Sequence, residues 1–138
     1  IFNLCYEHFE KGGAIIIFPE GISLTERKIK KIKTGTARMS LGAEAKNSYS
    51  LDMKIVAVGL NFSNPHKFQS DLFMNIDEPI NVSDYYQAHQ KDTFKAAHAL
   101  TDEIRKRIEK QVVVIQNAET DKLVADIEGD GGIAREIL

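Results

Sequence analysis

The chain has 138 residues, a length that suits one compact domain better than two. Hydrophobic residues make up 43% and charged residues 28%, which excludes a wholly disordered, collagen-like or disulfide-scaffold chain. Eighteen basic and twenty acidic residues give a net charge of −2, so the chain as a whole is not suited to bind a polyanion. The longest apolar run covers residues 14–18, far fewer than the roughly 20 residues that span a bilayer.

The first two elements are predicted to be a helix and a strand. Apolar residues recur at helical spacing over residues 1–11, and Gly12-Gly13 supplies the left-handed backbone that often ends a helix. Residues 14–18 form an uninterrupted, isoleucine-rich run bounded by glycine and proline. This pattern is typical of a strand buried on both faces in a parallel or mixed sheet.

A second helix and several strands are predicted after a polar, basic stretch. Thr34 or Thr36 is expected to cap a helix rich in alanine, methionine and leucine. Apolar runs at residues 55–62, 72–76 and 80–82 then predict central or hairpin strands. These elements place most of the predicted sheet in the middle of the chain.

The last long element is an amphipathic helix over residues 91–114. Apolar side chains follow one another at spacings of three and four, at Phe94, Ala97, Leu100, Ile104, Ile108 and Val112. Residues 119–138 are acid-rich and glycine-containing, so residues 116–138 are expected to form a short helix and a mobile acidic tail. The order of helices and strands is that of an α/β or α+β fold, and we expect an α/β fold with a central mixed β-sheet flanked by helices.

The first candidate site is the turn Phe18-Pro19-Glu20-Gly21 at the carboxyl end of the predicted buried strand. Ligands of open α/β sheets gather beyond strand carboxyl ends, and the glutamate could accept hydrogen bonds from ligand hydroxyls there. Gly21 would allow the backbone to approach a ligand closely. The alternative is that this segment is an ordinary turn, because turns of this composition are common.

The second candidate site is a basic segment, residues 27–38, with six cations and no acid. A solvated loop or a nonspecific polyanion patch is the simpler interpretation of such a segment. However, Thr34-Gly35 is predicted to open a helix, whose free N–H groups and dipole favour a phosphate group, and Lys33 adds a point charge beside it. No aromatic residues interleave the cations, so we expect no nucleic-acid partner.

Histidine and cysteine residues carry little evidence of a site. His8 and His98 fall on predicted helices and His89 in a polar stretch, where structural roles are expected. No histidine has the spacing to cysteine or acid that predicts a zinc site, so we expect no metal. The lone Cys5 is predicted to be a small core residue.

Three ordered blocks make the chain similar to the glycerol-phosphate and lysophosphatidate acyltransferase family. They are Phe18-Pro19-Glu20-Gly21, matching the family's Phe-Pro-Glu-Gly block, then Lys33-Thr34-Gly35, and then Ile55-Val56-Ala57-Val58-Gly59-Leu60. Longer stretches around the second and third blocks resemble the branch that acylates glycerol 3-phosphate or dihydroxyacetone phosphate. The resemblance covers about residues 2–115, so residues 1–115 are expected to be the C-terminal part of an acyltransferase domain.

In the family, the histidine of a His-x4-Asp motif removes the proton from the acceptor hydroxyl, which attacks an acyl thioester. That motif belongs well upstream of Phe-Pro-Glu-Gly. The chain starts at Ile1 without it, so we expect a fragment that is inactive by itself and contains no catalytic residue. His66 and Asp71 have the same spacing but follow the third block, where the glycerol-phosphate branch carries a His-Lys-Phe stretch as ordinary sequence.

Two departures from the family pattern affect how its site is carried over. Ile22 replaces the usual threonine, and Ser23 follows directly, which removes an arginine that could hold phosphate. Ser23 still fits the glycerol-phosphate branch. Ala57 stands where the third block usually has a proline.

The resemblance implies an enzyme of phospholipid biosynthesis that moves a fatty acyl group from acyl-CoA or acyl carrier protein to glycerol 3-phosphate or a related acceptor. Phe18, Pro19, Glu20, Gly21 and Ser23 would shape the acceptor site. We expect the block Lys33, Thr34 and Gly35 to bind the phosphate, with Arg27 or Lys28 contributing a further positive charge.

The expected partners are the phosphorylated acceptor, the acyl donor and a membrane surface, with no further cofactor. We expect association with the cytoplasmic face of a membrane and no transmembrane helix in this chain. Two alternatives stay open. One is a non-catalytic lipid- or phosphate-binding module without the catalytic histidine, and the other is a polyanion-binding interaction domain.

Overall fold

The computed structural model describes residues 1–20, 31–64 and 67–111. Its elements, in chain order, are α1 (Phe2–Glu10), α2 (Gly35–Lys46), β1 (Lys54–Ile55), β2 (Val58–Phe62), β3 (Leu72–Ile76), β4 (Ile80–Asn81), a 3₁₀ turn (Val82–Tyr85), α3 (Tyr86–Lys91) and α4 (Thr93–Gln111). The strands within these ranges form two antiparallel pairs, β1 with β4 and β2 with β3. Helices and strands are thus mixed, while the predicted central mixed sheet of an α/β domain stays a prediction. The expected acidic tail lies outside the described residues.

The core lies between α2 and α4. Leu41 of α2 and Leu100 of α4 are fully buried, and small alanines around them let the two helices approach closely. The buried hydrophobic cluster consists of Ala37, Leu41, Ile80, Val82, Ala96, Ala97, Leu100 and Ile104. Because the cluster includes Ile80 of β4 and Val82 of the 3₁₀ turn, both elements pack against α2 and α4. These contacts fix the position of α2 in the fold.

Helix α4 largely follows the predicted pattern, with one error at its start. Asp92 caps the helix, because its Oδ1 accepts the N–H groups of Phe94 and Lys95, each at 3.1 Å. Phe94 was expected in the core but is 71% exposed and stacks on His98, with 4.4 Å between ring centroids. Phe94 is at the margin of the buried stripe and on the first turn, where the neighbouring core residues do not cover it.

Helix α1 ends just before Gly12-Gly13, as the sequence predicted. Gly12 has φ 76°, its N–H donates to the carbonyl of Phe9, and the N–H of Gly13 donates to the carbonyl of His8, both at 2.9 Å. This pair of hydrogen bonds is the Schellman arrangement, which satisfies carbonyls at a helix end.

Residues 14–18 do not form the predicted strand. They belong to no strand in the described ranges, and Ile16 and Phe18 are 88% and 72% exposed. Apolar composition alone does not bury a strand, because burial on both faces needs neighbouring strands and helices, and none of the described elements covers this run. The segment is instead held at its ends by single hydrogen bonds, including one from His8 Nε2 to the carbonyl of Ala14 at 3.2 Å.

The predicted strand at residues 55–62 is divided. Ile55 ends β1, and Val58 begins β2 after a break at Val56 and buried Ala57. β2 then pairs with β3 in one antiparallel hairpin, with Gly59 opposite Asn75 and Leu60 opposite Met74. The sequence signal for a hairpin is therefore confirmed, although the run contains two strands.

The end of α4 is attached to this hairpin. The carbonyl oxygen of Gln111 accepts hydrogen bonds from the side-chain amides of Asn61, at 2.9 Å, and Asn75, at 3.1 Å. Gly59 lies beneath this contact, and a Cβ atom at that position would overlap the Gln111 carbonyl group. Glycine is therefore required at residue 59 by the close approach of two backbones.

A buried carboxylate holds the loop after α2. Glu44 is fully buried, and its carboxylate accepts the backbone N–H groups of Leu51, at 3.1 Å, and Met53, at 2.6 Å. Beside it, the Tyr49 hydroxyl and His89 Nδ1 are 2.9 Å apart in a hydrogen bond, and burial lowers the pKa of His89. The C-terminal end of α2 is thus fixed by polar contacts.

The replacement Gly59→Ala is expected to lower the free energy of unfolding by about 1–3 kcal/mol, because the added methyl group forces α4 away from the hairpin. Urea unfolding followed by circular dichroism measures the change. Gly35→Ala is the matched control, since its added Cβ meets nothing within 4 Å and should change stability by less than about 1 kcal/mol. Equal stability of Gly59→Ala and the unchanged protein would contradict the close approach.

We expect His89 to lower the free energy of unfolding as the pH falls from neutral to mildly acidic values. Burial lowers its pKa in the folded state, so the unfolded chain takes up the proton more readily as the pH falls below the ordinary histidine value. The free energy of unfolding should therefore fall between about pH 7.5 and about pH 5.5. Hydrogen bonds lower the carboxyl pKa values of Glu10, Asp77 and Glu103, whose contributions are lost only at more acidic pH.

Urea unfolding at both pH values tests this expectation with two variants. His89→Phe should reduce the pH dependence, whereas His98→Gln, which changes an exposed histidine, should keep it. A pH dependence that His89→Phe leaves unaltered would show that another group causes it.

Candidate functional site

A cleft of about 170 Å³ lies where residues 17–19 pass beside the start of α2. The backbone N–H of Lys33 donates to the carbonyl oxygen of Pro19 at 3.1 Å, which ties the two segments together. Ile32, just before Lys33, is buried and anchors the start of the helix to the protein interior. We call this space the α2 cleft.

The α2 cleft has an apolar wall and a polar wall. The apolar wall is the set of lining residues Ile17, Phe18, Pro19 and Met39, and the polar wall is the set Lys33, Gly35 and Thr36. A site with this division suits a small molecule that has a charged group at one end and carbon atoms at the other.

The polar wall is electropositive. The first turn of α2 contains no acidic residue, and Lys31, Lys33 and Arg38 are exposed in or just before it. The positive end of the helix dipole and these cations together favour an anion of the size of a phosphate group.

The threonines at the start of α2 do not cap it as predicted. Thr34 takes the N-cap position but has helical backbone angles, φ −72° and ψ −1°, and its side chain makes no capping hydrogen bond. An N-cap side chain reaches the first N–H groups only from an extended backbone, which explains the difference. The Oγ1 atom of Thr36 is buried at the cleft and, among the described residues, has no hydrogen-bond partner.

The structure brings together two of the sequence blocks singled out above. Phe18 and Pro19 from the first block and Lys33 and Gly35 from the second all line the α2 cleft, and Thr34 lies between the latter two. About a dozen residues separate the blocks in sequence. Their roles in binding stay predictions.

The rest of the first block is only partly described. Glu20 is half-buried directly after Pro19, but it is not one of the residues that line the cleft. Gly21 and Ser23 lie outside the described residues, as do Arg27 and Lys28.

Three lining residues were not chosen as site residues from the sequence. Ile17 was assigned to a buried strand, Thr36 to a cap and Met39 to a helix face. Met39 is three residues after Thr36 and four after Gly35, so helical spacing already places it on the same face as the first turn. That periodicity was the available signal.

The described histidines lie in other surroundings. His8 contacts the carbonyl of Ala14, His89 contacts Tyr49, and His98 stacks on an exposed phenylalanine, so none of the three lines the cleft. His66 lies outside the described residues. Within the described ranges, no three histidine, cysteine or acidic side chains are grouped to hold a metal ion. None of the described helices is both long and apolar enough to cross a membrane.

Two enzymes of Saccharomyces cerevisiae have sequences similar to that of this chain. The chain is 32% identical to glycerol-3-phosphate O-acyltransferase 1 of Saccharomyces cerevisiae over 130 residues, which is 92% of this chain and 17% of the relative. The chain is thus homologous to part of a glycerol-3-phosphate O-acyltransferase. It is 34% identical to glycerol-3-phosphate O-acyltransferase 2 of the same yeast over 92 residues, 67% of this chain and 12% of that relative.

A third relative is an uncharacterized acyltransferase of Schizosaccharomyces pombe, 26% identical over 86 residues, 62% of this chain and 13% of that protein. These matches confirm the resemblance to the glycerol-3-phosphate branch. This chain spans about a sixth or less of the length of these relatives. No family model matches the chain, and no solved structure matches it.

Thr36→Val is expected to leave the free energy of unfolding unchanged or to raise it by up to about 1 kcal/mol, because the hydroxyl that it removes is buried without a partner among the described residues. Ser40→Ala, one turn later, is the matched variant. The Ser40 hydroxyl donates to the carbonyl of Thr36 at 2.8 Å, so its loss should cost about 0.5–1.5 kcal/mol. A larger loss from Thr36→Val than from Ser40→Ala in urea unfolding would contradict this assignment.

Proposed function

We propose that this chain supplies the acceptor-binding part of an acyltransferase that acts on glycerol 3-phosphate or a related phosphorylated acceptor. The observation that carries the proposal is the α2 cleft, in which the Phe-Pro block meets the Lys-Thr-Gly block. The names of the two yeast relatives support the same reaction class and acceptor. The acyl donor is an acyl thioester, either acyl-CoA or acyl carrier protein.

The polar wall of the cleft is assigned to the acceptor phosphate. Lys33 provides a full positive charge, and the first turn of α2 provides N–H groups and the dipole at Gly35 and Thr36. A phosphate there forms charge-assisted hydrogen bonds, which are about twice as strong as neutral ones. Glu20, next to Pro19, is assigned to the hydroxyl groups of the acceptor, together with Gly21 and Ser23 of the same block.

The apolar wall is assigned to the reacting end of the complex. Ile17, Phe18 and Met39 give the cleft an apolar surface beside the phosphate site, which suits the carbon atoms of the acyl group. The acceptor oxygen forms a bond with the carbonyl carbon of the thioester, the carbon–sulfur bond breaks, and a base takes the hydroxyl proton. We assign that base to the histidine of the family's His-x4-Asp motif, which belongs upstream of the Phe-Pro-Glu-Gly block, since no described histidine lines the cleft.

A non-catalytic lipid- or phosphate-binding module is the second candidate function. The observation that favours it is the lack of a histidine at the cleft among the described residues. Such a module would bind the phosphorylated molecule in the same cleft and would transfer no acyl group. Acyl transfer from oleoyl-CoA to glycerol 3-phosphate by the whole protein that contains this sequence separates the two.

A membrane surface is the expected setting of the reaction because the product is a lipid. Lys31, Lys33 and Arg38 are exposed in or just before the first turn of α2. Near an anionic leaflet each such residue adds about 1 kcal/mol of attraction. We propose that this basic segment faces the cytoplasmic leaflet.

Lys33→Glu should raise the KM for glycerol 3-phosphate by roughly tenfold or more and change kcat by only a few fold, because the contact to phosphate is present before and during the reaction. Steady-state kinetics of the whole protein, with oleoyl-CoA as donor, measure both values. Lys95→Glu, which changes an exposed lysine on α4, is the matched control and should leave KM unaltered. A KM for Lys33→Glu equal to that of the control would refute the phosphate role.

A further inference from the structure

An ordinary surface hairpin turns its apolar face to the protein and its polar face to solvent. The β2–β3 hairpin instead turns a glycine and two asparagines to the protein and exposes an apolar face. Its inner face, which contacts the end of α4, holds Gly59 and the two asparagines that donate to the Gln111 carbonyl group. These contacts fix which side of the hairpin is turned to the protein. Because side chains alternate along a strand, all residues between the inner positions lie on the outer face.

The outer face is a continuous apolar surface without a charged residue. It consists of Val58, Leu60, Phe62, Leu72, Met74 and Ile76, which are 38% to 67% exposed. The register sets these residues opposite one another in three pairs, with Leu60 and Met74 in the centre. We estimate its exposed area on the order of 500 Å², as large as the largest apolar patches that monomeric proteins show, and such patches are commonly interaction sites.

We propose that the outer face pairs with the outer face of a second copy of this chain in a two-fold dimer. Burying this area on both copies removes roughly 1,000 Å² in total, which lies at the low end of specific protein interfaces. Phe68, 89% exposed in the loop between the strands, and Val56, 44% exposed before β2, extend the apolar area at its two ends. Aligned packing of two sheets face to face satisfies this geometry.

Charges at the two ends of the hairpin favour the antiparallel arrangement of the two copies. Lys67 is exposed in the loop at the tip. At the base, Asp77 pairs with Arg107 of α4 at 3.5 Å, and the next residue, Glu78, is exposed. A two-fold axis through the Leu60–Met74 pair sets the tip of one copy over the base of the other, and Lys67 then faces Glu78 of its partner.

The same charges disfavour an anionic membrane as the occupant. Within the described part of the hairpin, exposed Glu78 and Asp71 outnumber the one exposed cation, Lys67. Attraction to an anionic leaflet needs an excess of positive charge, which this rim does not have. A second copy instead offers its own Lys67 to Glu78 and its own Glu78 to Lys67.

Sedimentation velocity over a range of concentrations tests the proposal with the 138-residue chain. We expect a closed dimer at micromolar concentration. Met74→Glu buries a charge at the centre of the interface and should weaken dimerisation by at least about tenfold. Leu4→Glu is the matched control, because Leu4 is 71% exposed on α1, and it should dimerise like the unchanged chain. Circular dichroism of each variant verifies that the fold is kept.

A charge exchange tests the orientation without changing the apolar face. Lys67→Glu and Glu78→Lys should each weaken the dimer a few fold, and the variant with both changes should recover its affinity. A monomer at all concentrations, an open series of larger species, or an unweakened dimer of Met74→Glu would overturn the proposal. Binding of the monomer to vesicles of phosphatidylcholine and phosphatidylserine, lost in Met74→Glu, would assign the face to a membrane instead.

Discussion

The packing of α2 on α4 is the constraint on which the other features of the structure depend. Leu41 and Leu100 are fully buried at this contact, and alanines around them allow the close approach. Because an α-helix is rigid over twelve residues, fixing the middle of α2 also fixes both of its ends. One end carries the α2 cleft and the other carries Glu44. The position of the cleft is therefore set by the core.

The two ends of α2 use opposite chemistry. At the C-terminal end, the Glu44 carboxylate is buried and accepts two backbone N–H groups, so its polar capacity is used within the protein. At the N-terminal end, the cap position makes no side-chain hydrogen bond and exposed cations surround the first turn. A helix that is anchored at one end and electropositive at the other is suited to present a fixed anion site.

Local patterns in the sequence were sufficient for α1, α2, α4 and the hairpin, and insufficient for α3 and for burial. The Gly12-Gly13 stop and the spacing of Ala97, Leu100 and Ile104 act through nearest neighbours, so both were predictable. The run at residues 14–18 was misassigned because its burial depends on distant elements. The two blocks of the cleft were each indicated by their own residues and by the family resemblance, but nothing local shows that they meet. The buried role of Glu44 had no signal, because glutamate is usually exposed.

The role that we propose for the α2 cleft is to bind the phosphate of a glycerol-type acceptor. Titration of the isotopically labelled chain with glycerol 3-phosphate, followed by NMR, tests it most directly, with glycerol as the control ligand. We expect saturable shifts of the backbone amides of Lys33, Gly35 and Thr36 with glycerol 3-phosphate and none with glycerol. Saturable shifts confined to α4 or the hairpin, or equal shifts with both ligands, would contradict it.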